Sequence, residues 1–594
     1  MSYFSCTQKV MRSSLGNLVL GLSLVPQLAV ASSPVLTNRY DNQRSGVNLH
    51  ETTLKPNEIG KDTFGKLFSL NVDGHVYAQP LFVPDVTLVD GVKRNIVFVA
   101  TMNNTVYAFD ADQENGGAPI WKRELGFAAP LPDRNLGGSA TKDIYGTIGI
   151  MSTPVIDLDK QEMYVVTLQR RSITIQGVVP FFSYVYSLHR LDINTGASKG
   201  REVRIVGSWP TVPGVKYNPL DVQNGRIQFI PTHQLQRVGL LLHNGSVYVA
   251  FGSRQDIEPY HGWIFRYDTS SDKMVTVLNT NPDSYGGGIW QSGAGLSAFD
   301  DERYVYAVTG DGPSSDLAKM SISSARNFPS SVLKLVDVGD SMLPVDAFTP
   351  NYYEFLYKLN LDLSSTGLVL FPQKSIFRNT RAGMVAGKDG RIYILNTQDL
   401  GGLSASETDP QLISKIPIKQ GLTPEELTGY MVYGTPIYWE TADAEGKPVG
   451  YIYVQSQNDV AKAFEVRGAE DKLIGKTPHS QAPESDIANI GRPGGMMALS
   501  AHGTDPESGV LWVSVPRIRK DDANHYVVEG VLRAYKATDL SQKIWDSEQN
   551  PARDRLGLFA KFNTPLITNG KVYVATFSNE VAVYGKLPTP AADH

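Results

Sequence analysis

Phe562-Asn-Thr-Pro-Leu-Ile-Thr-Asn-Gly-Lys-Val-Tyr-Val-Ala-Thr-Phe-Ser-Asn-Glu-Val-Ala-Val-Tyr584 reads as three short strands and two turns. The first strand opens on small residues. Asn569-Gly570 then stands between alternating apolar runs, the strongest short-range hairpin signal. Val572-Tyr-Val574 follows, Asn579 turns the chain, and Val581-Ala-Val583 returns. The opening phrase recurs at Ala78-Gln-Pro-Leu-Phe82, Ser152-Thr-Pro-Val-Ile156, Val238-Gly-Leu-Leu-Leu242 and Gly293-Ala-Gly-Leu-Ser297. It returns at Ala382-Gly-Met-Val-Ala386, Gly434-Thr-Pro-Ile-Tyr438 and Gly494-Gly-Met-Met-Ala498, which makes eight openings with the first.

Small residues let strands crowd about an axis, and the apolar residues after them pack between neighbouring sheets. Radial repetition of short sheets removes most unpaired edges. The expected fold is therefore all-β: an eight-bladed β-propeller of four-stranded antiparallel blades over residues 64–586. The last unit stops after three strands, and 64–71 has no opening strand before it. This N-terminal strand is expected to complete the last blade and close the ring. Uneven spacing places loop insertions in the longer units, notably around 311–350. Thr423-Pro-Glu-Glu426 is a capping box with Pro at the first helical position, so a short helix starts there.

Composition narrows the function. Among 594 residues, 55 Lys+Arg against 60 Asp+Glu give no basic footprint, so nucleic acid is not an expected partner. The single cysteine, Cys6, excludes a disulfide framework, an iron–sulfur cluster and a Cys-ligated zinc. Residues 1–31 read as a signal peptide, with Lys9 and Arg12 in front, an apolar run, and Ala29-Val30-Ala31 for cleavage. The product is expected to be secreted or periplasmic, monomeric and without a membrane span. Residues 32–63 form an N-terminal extension on this reading, and 587–594 a disordered tail.

Ala534-Tyr-Lys-Ala-Thr-Asp-Leu-Ser-Gln-Lys-Ile-Trp545 resembles the tryptophan-docking repeat of pyrroloquinoline-quinone-type propellers, as does Ala108-Phe-Asp-Ala-Asp…Ile-Trp121. Arg39-Tyr-Asp-Asn-Gln-Arg-Ser-Gly46, Tyr260-His-Gly-Trp-Ile-Phe-Arg-Tyr-Asp268, Gly286-Gly-Gly-Ile-Trp-Gln-Ser-Gly293 and Gly494-Gly-Met-Met-Ala-Leu-Ser500 are similar to an uncharacterised exported branch of this quinoprotein-like class. The resemblance implies pyrroloquinoline quinone with calcium, and oxidation of an alcohol or sugar at the central channel. The chain departs from that pattern in having neither the adjacent cysteines over the quinone nor a Cys-x-x-Cys-His haem motif, so no haem is expected.

The same resemblance places functional groups on loops entering the opening strands: Tyr77, Gln79, His233, Arg237, Trp290, Gln291, Arg381, Tyr433, Arg492, Lys561 and Asn563. Trp290, between glycines, offers a flat floor to a planar ligand, with Gln291 beside it. Arg237, Arg381 and Arg492 could converge on a carboxylate, since a guanidinium fork matches one bidentately. Asp311, in Thr309-Gly-Asp-Gly312, is the candidate general base or metal carboxylate; no metal set is assigned. Each has a plain structural counterpart: a wedge between sheets, surface ion pairs, a turn aspartate. Asn104, Asn458 and Asn579 recur in one phase and suit left-handed turns. The histidines lack zinc spacing, and His75 and His261 are either bases or turn caps. Two functions lead: an oxidoreductase acting on a small-molecule or polymeric substrate at the axis mouth, or a non-catalytic binding or scaffold propeller recognising a polymer or protein partner; a lyase or hydrolase on the same scaffold comes behind them.

Overall fold

Asn569 and Gly570 both adopt left-handed backbone, φ 53° and 65°, and join strands Leu566–Thr568 and Lys571–Ala575. That is the two-residue hairpin turn whose twist matches its strands. Asn579, φ 60°, turns into Glu580–Lys586. Against this strand lies Phe64–Asn71, antiparallel, from Phe64 opposite Lys586 to Asn71 opposite Glu580. An early strand and the last one therefore share one sheet. The computed structural model describes residues 33–588 apart from 139–142, 174–180, 314, 319, 373–375, 378–379, 405, 407, 469, 488–491 and 518–522. The signal peptide read at 1–31 and the tail from 589 lie outside the described residues.

Among the described residues, seven further sheets of four or five strands follow in order, spanning 81–124, 155–204, 234–279, 304–349, 369–417, 437–481 and 496–546. The chain is thus mostly β. The sheets are antiparallel with two exceptions. Gly402–Leu403 joins the fourth sheet parallel to Phe348–Thr349, and Val47–Asn48 joins the seventh parallel to Leu499–Ser500. In the fifth sheet Val369–Leu370 is the opening strand and Ala382–Ala386 the second. The Gly293 phrase of the fourth reaches only a single bridge, Ser297 to Tyr306. The capping box is present: Thr423 N–H donates to Glu426 and Glu426 N–H to Thr423 Oγ1, starting Pro424–Leu427. No helix among the described residues is long and apolar enough to cross a membrane.

Aromatic side chains lock neighbouring sheets. Between the seventh and eighth, Trp545 lies 5.0 Å from Phe64 and 5.6 Å from Tyr584, edge to face, with Trp512 also against Phe64. These rings are buried, each stabilising by about 2–3 kcal/mol through area alone.

Residues 35–50 are not an appendage. They thread between the opening strands and bond to each sheet, or to the residue leading into it. Val35 pairs with Phe82, Leu36 accepts from Ile156, Asn42 donates to Leu242 and accepts from Ala298, and Gln43 accepts from Leu370. Arg39 donates to Pro436 O, Gly46 accepts from Leu499, and Asn48 donates to Ile567 O. Arg44, fully buried, makes five hydrogen bonds. Arg39, Tyr40 and Arg44 all hold positive φ, a conformation non-glycine residues keep only where surroundings impose it. Small residues in the opening strands make room for this segment: a Cβ on Gly295 would lie 2.4 Å from Arg44, and one on Gly239 2.8 Å from Asn38. At the other end Leu587, placed in the tail by the sequence, donates its N–H to Thr63 O.

Candidate functional site

Loops that enter the opening strands, and loops between second and third strands, surround a cavity of about 330 Å³. Arg237, Trp290, Tyr433 and Arg492 from the sequence prediction line it. Trp290 meets Phe562 edge to face at 5.9 Å and Tyr433 at 6.2 Å, which fixes its ring by packing. The Arg237 guanidinium lies 4.7 Å from the Phe562 ring centre and 5.8 Å from that of Trp290; Lys388 Nζ is 5.4 Å from the latter. Two cations on one indole are favourable because the ring face is electron-rich.

Lys388 is ion-paired with Asp362, which shares the wall with it. Burial works against the ammonium, but Asp362, Tyr433 and Asp311 outweigh it and hold Lys388 above the ordinary lysine value. Asp362 Oδ1 accepts from the Asp311 N–H at 3.1 Å. Burial, then the charge of Asp362, pushes the Asp311 carboxyl up to about 9, with Lys388 offsetting part of the rise. Two neighbouring carboxylates cannot both ionise cheaply, and the ion-paired member is Asp362. Asp311, read from the sequence as the general base, is therefore the member of the pair held towards its protonated form. Tyr260, buried on the same side, is raised by burial and then by Asp256, Asp311 and Asp362.

The glycine run before Trp290 packs against the 309–312 turn. A Cβ on Gly286, φ +93°, would lie 2.6 Å from Asp311 O, and Gly287 N–H donates to that same oxygen at 2.8 Å. Gly310 N–H bonds Gly288 O. The glycines let 309–312 dock and so set Asp311 beside Asp362.

Two predicted ligand residues lie elsewhere. Gln291 is engaged with backbone, donating to Ala294 O and Gly295 O and accepting from Val308 N–H. Arg381 forks onto Asp301 at 3.0 and 2.7 Å, pairs with Glu302 at 2.8 Å and covers Phe299. Both take their plain structural role. Gln79 bonds the inserted segment, Asn563 donates to Tyr77 O and Ala78 O, Lys561 donates to Asn524 O, and His233 bonds Pro259 O. His75 stacks on Phe577 at 4.7 Å, and burial lowers it below ordinary histidine. His261 is buried between Asp221 and Asn281 O, 2.9 Å from each. Asn104, Asn458 and Asn579 have φ 60°, 58° and 60°, as turn chemistry requires.

Lys388 and Asp362 were missed. Lys388 lies in Gly387-Lys-Asp-Gly390, between the second and third strands of the fifth sheet. Reading Ala382–Ala386 as an opening strand moved this turn to the wrong end of its blade. Among the described residues, no group of three or more His, Cys, Asp or Glu is placed to hold a metal ion.

No protein-family model matches the chain, and no curated protein does. Solved structures are similar. A quinohemoprotein alcohol dehydrogenase from Comamonas testosteroni superposes with a TM-score of 0.53 at 15% identity, over 94% of this chain and 82% of that one. Quinohemoprotein alcohol dehydrogenase ADHIIG from Pseudomonas putida HK5 gives 0.49 at 14%, with the same coverage. At such identities the likeness is one of fold. The architecture is that of a β-propeller.

Proposed function

We propose that this chain is an exported oxidoreductase, secreted or periplasmic, that oxidises an alcohol or sugar at the mouth of a central channel. Its eight sheets are the blades of one ring, closed by Phe64–Asn71 pairing with Glu580–Lys586. The observation that carries the reading is the Trp290 ring with the Lys388–Asp362–Asp311 relay beside it. The alcohol dehydrogenase similar in fold is, by its description, a quinohemoprotein.

The residues fit the organic part of pyrroloquinoline quinone, a planar polycarboxylate: an aromatic floor at Trp290 and a mostly buried ammonium, Lys388, beside it. When bound, that group supplies the two-electron acceptor that turns an alcohol into a carbonyl. A calcium site of carboxylates finds no counterpart among the described residues, and no step is derived through a metal. The chain's own contribution is proton handling. Asp362 accepts the hydroxyl proton, Lys388 holds its charge in place, and protonated Asp311 bonds to it and orients it. The cavity's size supports a small molecule over a polymer.

Saturating quinone, with and without Ca²⁺, should raise the melting temperature; at a hundredfold excess over Kd the linkage is about 2.7 kcal/mol. Trp290→Ala should abolish the shift while the ligand-free melt stays cooperative. An unchanged melting temperature at saturating quinone with Ca²⁺ present sinks the reading.

A further inference from the structure

Six arginines are buried among the described residues: Arg39, Arg44, Arg237, Arg254, Arg266 and Arg533. Five of them donate to oxygen atoms. Arg39 and Arg44 bond carbonyls of the inserted segment and its sheets, Arg254 bonds Thr232 O and Gln234 O, Arg266 pairs with Asp337 and Arg533 bonds Asp486 O. Arg237 is the exception. It is 6% exposed, its Nε is buried without a partner, and its side chain makes no hydrogen bond or ion pair to any described residue. It rests on Phe562 and Trp290 and faces the cavity. The Tyr77 hydroxyl, close enough to feel its charge, is also buried without a partner.

A desolvated guanidinium with no acceptor is costly unless something else supplies one. Rings cover its faces but leave its in-plane donors unanswered, and those donors match a carboxylate. Against the same indole stands the proton-handling pair, Lys388 with Asp362. The unanswered guanidinium and the Lys388–Asp362 pair thus line one cavity and both approach the Trp290 ring.

We propose that Arg237 is the seat of a substrate carboxylate, so that the molecule oxidised here is a hydroxy acid: a sugar acid or a smaller hydroxycarboxylate, bound by its carboxylate at Arg237 with its hydroxyl toward Asp362. This rests on the oxidoreductase reading for the chemistry, but the socket itself does not. Burial lowers the Arg237 pKa, with Tyr77 and Asp143 opposing, as befits a cation waiting for its anion.

The test is equilibrium binding by calorimetry to the cofactor-free protein, using glycolate, D-gluconate and D-glucuronate against ethylene glycol, sorbitol and D-glucose. At least one acid should bind tenfold or more tightly than its neutral counterpart. Arg237→Gln should remove that preference and leave the neutral compound unchanged, with Arg237→Lys recovering part of it. The ligand-free Arg237→Gln protein should melt no lower than the parent, and roughly 1–3 °C higher, because an unpaired buried charge is gone. Acids and neutral counterparts binding alike, or an Arg237→Gln protein that keeps the preference, would overturn the proposal. Adding pyrroloquinoline quinone separates the two sources of a carboxylate. Simultaneous binding of quinone and acid supports the substrate assignment, and competitive displacement gives the socket to the cofactor and overturns it. Acid bound through Arg237 with no quinone binding leaves the socket standing and removes the oxidoreductase reading.

Discussion

Arg44→Met lowers the stability of the ligand-free protein by at least about 4 kcal/mol, read as a fall in the denaturant midpoint and the melting temperature. Its guanidinium donates to Leu296 O at 2.8 Å, Thr37 Oγ1 at 2.7 Å, Asn38 O at 2.9 Å, and Asp41 O and Leu240 O at 3.3 Å. Burial draws its pKa down to about 9, so it is still charged at pH 7. Methionine fills most of the volume and answers none of the carbonyls, each worth about 1–3 kcal/mol when buried and unsatisfied. Arg44→Lys keeps the charge but has one nitrogen where three were used, and should lose about half as much. The contrast with Arg237 is the informative part. One buried arginine carries the inserted segment and its loss destabilises; the other awaits a ligand and its loss does not. A methionine variant melting within a degree of the parent would mean that residues 35–50 do not hold the sheets together.

That segment marks where the sequence stopped being readable. Hairpins are local, so Asn569-Gly570 and most of the repeated openings were legible, as was the pairing of 64–71 with the last unit. Arg39-Tyr-Asp-Asn-Gln-Arg-Ser-Gly46 was visible only as a point of resemblance. Its partners are carbonyls up to several hundred residues away, and a carbonyl has no sequence signature. The same holds at the site. Trp290, Arg237, Tyr433 and Arg492 line the cavity, and the sequence could point to them because they sit in register with an opening strand. Arg381 and Gln291 sit in register too, yet face Asp301 and the Ala294–Gly295 backbone. Lys388 was lost to one mis-phased strand, and with it Asp362, so Asp311 was read as a lone carboxylate.

The pair can be told apart by two isosteric variants. Asp362→Asn removes the proton acceptor and should lower turnover of the quinone-loaded protein by about 10²–10⁴-fold. Asp311→Asn copies the protonated form present at neutral pH and should stay within about threefold of the parent. The two should diverge with pH. Wild-type Asp311 has its folded-state pKa raised from 3.8 to about 9, so the folded state holds a proton that the unfolded chain releases. Its contribution to stability is complete below about pH 4 and is lost as pH rises towards 9. Activity should fall above about pH 9, as a second charge appears beside Asp362 and pulls Lys388 from it. The Asp311→Asn protein, with no proton to lose, should keep its activity through that range and show a flatter stability profile between about pH 4 and 9. A hundredfold loss in Asp311→Asn at pH 7, with Asp362→Asn nearly intact, would restore Asp311 as the base and reverse the proton's path.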